Sequence, residues 1–384
     1  MRRKLLLLLE IGLILAGLVL GYSAWKVSSA VKQPLHLSGE QLLDVPTGTN
    51  PNRMFYRMEN SGLIDDAFWL RLYWRFNMAG VPLHTGEYRM TPGMTVSDLF
   101  EDWRRGDVVQ YNLTLVEGWT FRQVRSALAK HDKIKHTLDG LSDSEVMDRL
   151  GHPAVFPEGR FFPDTYKFVR GMTDEELLQQ AYARLEEVLA KEWAERPADL
   201  PYRDPYQALI MASLVEKETG VAQERGQIAG VFVRRMRIGM LLQTDPTVIY
   251  GMGERYNGKI TRADLRESTP YNTYVIPGLP PTPIAMVGRE AIHAALNPAS
   301  GSSLYFVARG DGSHVFSDDL DAHNSAVREY QLKRRADYRS SPAPQPANGN
   351  EQSAPTEQQD APAEPADVPA APDEAPATGE SPSQ

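Results

Sequence analysis

The chain opens with an apolar run that no water-soluble domain can carry on its surface. After Met1-Arg-Arg-Lys, residues 5–22 are apolar except for Glu10 and small neutral side chains. That is about the least that crosses a bilayer, and continuing to Trp25 makes a comfortable span. Tyr22 and Trp25 stand where interfacial aromatics belong, and Arg2, Arg3 and Lys4 put the N-terminus in the cytoplasm. Glu10 does not reverse that orientation, because acids count little in it. A cleaved signal peptide is the competing reading, with Ser28-Ser29-Ala30 as its cleavage site. Lys26 and the aromatics interrupt a normal cleavage region and favour a retained anchor. Residues 26–36 then read as a tether that reaches on the order of 40 Å when extended. The expected topology is a single pass, with the N-terminus cytoplasmic and the rest of the chain on the other side of the membrane.

The other end is also outside any core. From about Ser340 the chain is rich in Pro, Ala, Gln and acids and has no aromatic residue, so it reads as disordered. Residues 341–384 carry eight acidic side chains and no Lys or Arg, and so account for all but one unit of the net charge of −9. The part between the ends is close to neutral, with no basic bias towards nucleic acid. The absence of Cys excludes disulfides and thiolate metal sites, though it does not locate the protein.

Between the ends the pattern is α+β. Residues 34–108 read as a small unit with a helix around 62–77, then strand, turn and helix in GEYRMTPGMTVSDLFEDWRRG. Leu99, Phe100 and Trp103 share one side of that last helix. Residues 109–335 read as a larger mixed α/β domain. VVQYNLTLV is a strand, and helices are expected at 120–129, 143–150, 174–196, 223–237 and 285–297. A terminal hairpin at 304–309 and 314–317 turns on Gly310 and Gly312. FPEGRFFPDTYKF, residues 156–168, is an aromatic-rich loop containing Asp164. It reads either as a cleft wall that stacks on sugars or as core. Arg234, Arg235 and Arg237 suit a helix C-terminus. His314 and His323 are far apart and read as structural, and nothing in the sequence calls for a metal or cofactor.

Residues 204–220, DPYQALIMASLVEKETG, form a helix with both ends marked. Asp204 is a good N-cap, Pro205 suits the first position, and Gly220 can take a left-handed cap. At about 100° per residue, Ile210, Met211, Leu214 and Val215 make an apolar face and Glu218 falls within it. Glu216 falls nearly opposite and, with Lys217, reads as a solvated face. Desolvation and the helix C-terminus both raise the pKa of a carboxyl so placed, which is what a general acid needs. The alternative is a terminal Glu that turns outward or finds a cation.

Two further stretches carry site-like polar groups. Gln243, Thr244, Asp245 and Tyr250 sit between short apolar runs, although Asp245 before Pro246 is equally a turn or cap. Tyr271, Asn272 and Tyr274 have the composition of a sugar site, with rings for stacking and an amide for hydroxyls. In a regular strand the two Tyr would face opposite ways. GMGERYNG has the glycines of a phosphate loop but not its Lys-Ser/Thr pair.

ASLVEKETG, RMRIGMLLQTDPTVIYGMGERYNGKITRADL and STPYNTYVIPGLPPTPI closely resemble the endolytic murein transglycosylase (MltG, YceG-like) family, as do FFPDTY and HVFSDDLDAHN. The similarity runs from the N-terminal apolar segment to about Tyr330. It implies that the second Glu of the EKET run, Glu218, is the catalytic acid. It also implies that residues 34–108 are a LysM-like subdomain, through the Tyr-x-x-x-Pro-Gly-x-Thr order from Tyr88, and that this subdomain either binds glycan or simply positions the catalytic part. The implied reaction is lytic cleavage between N-acetylmuramic acid and N-acetylglucosamine within nascent peptidoglycan strands, with penicillin-binding proteins as partners. A hydrolase using Glu218 with Asp245, Asp164 being the other weak candidate for a partner, and a non-catalytic glycan-binding scaffold remain the alternatives.

Overall fold

The computed structural model describes residues 2–332, so the acidic tail lies outside the described residues. In chain order the elements are α1 (Arg2–Lys32), β1 (Gln41–Val45), α2 (Pro51–Asn60), α3 (Ala67–Asn77), β2 (Gly86–Met90), α4 (Val96–Arg105), β3 (Gln110–Thr114), α5 (Phe121–Lys130), α6 (Asp143–Arg149), β4 (Thr165–Val169), α7 (Asp174–Glu195), α8 (Pro205–Glu218), α9 (Ala222–Arg237), α10 (Asp245–Met252), α11 (Arg289–Leu296), β5 (Tyr305–Ala308), β6 (His314–Ser317) and α12 (Leu320–Val327). The chain is α+β, and its strands pair as β1–β2, β3–β4 and β5–β6, each antiparallel. Two compact units result. Among the described residues, the first runs to Thr114 and adds Arg125–Leu141 and Thr165–Gln179; the second is Leu115–Val124, Ser142–Asp164 and the described residues from Gln180 on.

In the first unit, α2, α3 and α4 pack on the β1–β2 ladder around Phe55, Trp74, Tyr88, Phe100 and Trp103. Local signals set the helix ends. Asn50 and Asp66 cap α2 and α3, and a Thr95–Asp98 capping box starts α4. The helix expected at 62–77 begins only at Ala67. Glu87, nearly buried on β2, accepts from Arg170 at 2.9 Å and from the Tyr111 hydroxyl, and lies 3.7 Å from Lys133. Residues 165–168, expected within an aromatic loop, instead begin β4, in register from Thr114↔Thr165.

Among the described residues α1 is the one helix long and apolar enough to cross a membrane. It does not stop at the span. Its last turns reach the core of the first unit, where Ala30 and Val31 are buried with Leu35. The extended tether expected over residues 26–36 is therefore not there: residues 26–32 continue α1, and Leu35 and His36 are tied to the unit through the Met94 and Leu63 carbonyls.

In the second unit the core is built around α8, which packs on α9 and α11. Asp204 caps α8 as expected, accepting from Gln207 N–H at 2.9 Å. Every residue from Ala208 to Val215 is buried. A helix apolar all round belongs inside a core, and in its last turn Lys217 alone is exposed. The helix ends on Thr219 in extended backbone rather than on a left-handed Gly220. The helix expected from Ala285 starts only at Arg289, because residues 284–286 are tied elsewhere: Ile284 N–H to Ser213 and Met286 N–H to the Trp119 carbonyl. Phe161 and Phe162 are core, with Phe161 stacked on Phe121 at 5.1 Å.

Candidate active site

Glu218 lies at the last position of α8, half-buried, with its Oε1 accepting a hydrogen bond from the Thr244 hydroxyl. Among the described residues Thr244 is its one hydrogen-bond donor, and Oε2 has none. Burial raises the carboxyl to about 7; Thr244 opposes this, Asp245 adds to it by like charge, and Arg235 draws it down. The wheel's placement of Glu218 on a buried stripe agrees with this geometry.

Two other glutamates are raised to about 7 by burial, so burial alone does not single out Glu218. Glu216 is the correction. Its side chain is only 5% exposed, not solvated. One oxygen accepts from Gly288 N–H at 3.0 Å, at the start of α11, and the other lies 3.7 Å from Arg225. Glu158 had no signal in the sequence. It accepts from Phe121 N–H at 3.0 Å and from the Tyr250 hydroxyl at 3.1 Å. Both oxygens of Glu158 and Glu216 are engaged; Glu218 keeps one open.

Around Glu218 the loop before α10 is folded against the 271–274 segment. Gln243 takes a left-handed backbone, φ 51°, and its N–H donates to the Thr273 carbonyl at 3.1 Å. Thr244 N–H donates to the Thr273 hydroxyl at 3.1 Å, and that hydroxyl meets Thr247 at 2.8 Å. These bonds fix Thr244 as the N-cap residue of α10 and turn its hydroxyl to Glu218. Asp245 is the first residue of α10 and accepts from the Tyr274 hydroxyl at 2.6 Å. Its own surface is open to water, yet burial still pushes its carboxyl upward.

Residues 271–274 form a turn, not a strand, so alternation does not separate the two tyrosines. Tyr271 meets Tyr250 edge-on at 4.8 Å, with its hydroxyl on Thr282 at 2.9 Å. The Asn272 amide, expected to reach sugar hydroxyls, is buried and committed to its own loop. It donates to the carbonyls of Asp264, Leu265 and Glu267 and accepts from Tyr274 N–H. Asp164 is exposed just before β4; the groups acting on Glu218 are Thr244, Asp245 and Arg235.

Arg235 is more than a helix-end cation. It is buried and donates to the carbonyls of Leu304, Leu241 and Leu242 at 2.7, 3.2 and 2.8 Å. The sequence did hold its signal: at i+7 from Ile228 and i+3 from Phe232, it falls on the buried stripe of α9. His314 pairs with Glu224 at 2.8 Å. In the first unit His136, Asp139 and Asp174 bring ligand atoms within 4.8 Å of one another. Asp174, however, already accepts from Thr137 and from Leu138 N–H. Concavities of about 240 and 300 Å³ lie in the first and second units and are not lined by Glu218 or its neighbours.

A sequence profile described as the YceG-like family matches residues 43–329. A Bacillus subtilis (strain 168) protein named endolytic murein transglycosylase is 28% identical over 312 residues, covering 75% of this chain and 84% of that protein. A protein of the same name from Streptococcus pneumoniae serotype 2 (strain D39) is 25% identical over 328 residues, covering 74% of this chain; the chain spans 57% of that relative's length. A crystal structure of a yceG-like protein, lmo1499 from Listeria monocytogenes, is 27% identical, with a TM-score of 0.45, covering 74% of this chain and 98% of that one.

Proposed function

The chain belongs to the YceG-like family, and from that premise we propose that it is a peptidoglycan lytic transglycosylase with Glu218 as its catalytic acid. Relatives named endolytic murein transglycosylase support the activity. The observation that carries the residue is the open oxygen: of the three glutamates that burial raises to about 7, Glu218 is the one with a carboxyl oxygen that meets no partner among the described residues. A carboxyl near half-protonation at neutral pH can both give and take a proton.

In the proposed reaction Glu218 protonates the glycosidic oxygen between N-acetylmuramic acid and N-acetylglucosamine, and the bond breaks towards an oxocarbenium-like carbon. The Glu218 carboxylate then removes the proton from the muramic C6 hydroxyl, whose oxygen closes on C1. The product is a 1,6-anhydro end, with no water consumed. Gln243, Asp245, Tyr250, Tyr271 and Tyr274 are the proposed glycan-contacting groups. The hydrolase alternative needs a second carboxylate, ionised so as to activate water, and Asp245 is its candidate.

α1 serves in this reading as a single-pass anchor in the inner membrane, with the N-terminus cytoplasmic and the catalytic part periplasmic beside nascent strands. Penicillin-binding proteins are the proposed partners. The LysM-like reading of residues 34–108 rests on the motif from Tyr88 to Thr95. Digestion of purified sacculi by the wild type and by Glu218→Gln tests the proposal. The wild type should release anhydro products, one water lighter than hydrolysis products, and the variant should release none. Reducing-end products would favour the hydrolase, and undiminished cleavage by the variant would remove Glu218 from the mechanism.

A further inference from the structure

Helix α3 has two apolar faces. Ala67, Leu70 and Trp74 enter the core of the first unit. On the other side Phe68 is 57% exposed and Phe76 is 74% exposed, with the half-buried Leu72 one turn from each. At about 100° per residue these three fall within about 80° of one another, and Trp69 continues the row. A helix with only water beyond it carries polar residues on that side. A contiguous apolar patch instead marks a contact surface.

The neighbouring side chains indicate what that contact is. The Trp69 ring meets Tyr22 edge-on at 6.3 Å, and Tyr22 lies 6.1 Å from Trp25. Tyr22 and Trp25 are the exposed aromatics that close the apolar stretch of α1. Phe68 packs edge-on against Trp69 at 4.9 Å. One row of aromatic rings thus runs from the end of the span onto the open face of α3. Arg71 and Arg75 border the row, where cations meet lipid phosphates.

We infer that the outer face of α3 lies in the headgroup–acyl boundary of the phospholipid bilayer that α1 crosses, with Phe68, Leu72 and Phe76 inserted. The inference rests on α1 being a membrane span. Under it the first unit touches the membrane at two places, the span and the α3 face, and so lies against the bilayer rather than above it.

The chain has no Cys, so full-length single-cysteine variants can each carry one environment-sensitive fluorophore. Leu15→Cys reports the span, Phe68→Cys and Phe76→Cys report the α3 face, and Asp132→Cys reports an exposed polar site. Leu72→Cys repeats the α3 measurement with both phenylalanines kept. Each is reconstituted into vesicles of phosphatidylethanolamine and phosphatidylglycerol with or without a spin-labelled quencher lipid. The α3 labels should lose about half their emission or more, as Leu15→Cys does, while Asp132→Cys changes little. Quenching at Leu15→Cys with none at the three α3 positions would overturn the inference and leave the anchor standing. No quenching at Leu15→Cys would overturn both. Shielding of the α3 labels from aqueous iodide that needs no lipid and grows with protein concentration would assign the face to a second copy of the chain instead.

Discussion

Replacing Glu218 by Gln keeps the shape of the side chain and removes its titration. In the wild type, burial lifts the carboxyl from 4.5 to about 7. Between those pH values the folded chain holds a proton that the unfolded chain has released, so stability falls as pH rises. Each pH unit in that window removes about 1.4 kcal/mol, and the whole window removes about 3 kcal/mol. The contribution is complete below the unfolded value and gone above about 7. The Gln variant has no such loss, and its amide oxygen still accepts from Thr244. Its stability relative to wild type should therefore climb by about 3 kcal/mol between about pH 4 and pH 9, other groups cancelling in the difference. Thermal unfolding of both chains across that range reads it. At about 2–4 °C per kcal/mol, the relative Tm should move by on the order of 10 °C. A difference that stays flat with pH would refute desolvation of Glu218. A difference of opposite sign would mean that the carboxyl is held ionised by a cation.

Three other outcomes follow from the same geometry. Activity that needs protonated Glu218 should fall as pH rises through about 7; Thr244→Val should move that limb to higher pH and Asp245→Asn to lower pH, and kcat/KM profiles shifting the same way would refute the assigned roles. Glu216→Ala leaves Gly288 N–H without its acceptor and should cost about 1–3 kcal/mol, whereas Glu216→Gln keeps an acceptor and should cost much less; urea midpoints separate the two. Gly159 has φ +72° and its added Cβ would sit 2.5 Å from Pro283 Cβ, so Gly159→Ala should destabilise by about 2 kcal/mol or more, and an unchanged Tm would contradict that packing.

What the sequence revealed depended on whether the signal was local. Capping boxes and an N-cap followed by Pro are local, and the starts of α4, α6 and α8 match them. Glu218 was legible because a single helix decides which face it occupies. Glu216 was misread for the opposite reason: whether the far side of a helix is wet depends on what packs there, and Gly288 and Arg225 come from distant parts of the chain. Glu158 was invisible because its partners, Phe121 N–H and Tyr250, come from other segments. At 271–274 the sequence left a sugar site and a strand both open, because the turn rests on bonds from the Asn272 amide to the carbonyls of Asp264, Leu265 and Glu267 that no local pattern announces. Arg235 was within reach of a helical wheel, and its neighbours Arg234 and Arg237 hid it behind a dipole argument.

In the anchored reading proposed above, α1 continues without a break from its apolar stretch into the core that holds Ala30 and Val31, and so acts as a shaft. One residue inserted between Trp25 and Ala30 would raise the first unit by about 1.5 Å and swing it by about 100° around the helix axis. Two would face it nearly backwards, while seven, close to two full turns, would return it to within about 20° of its starting azimuth. The length of that short segment therefore sets a phase. Lengthening it is tolerable in whole turns and disruptive in half turns, a periodicity that a flexible leash would not have.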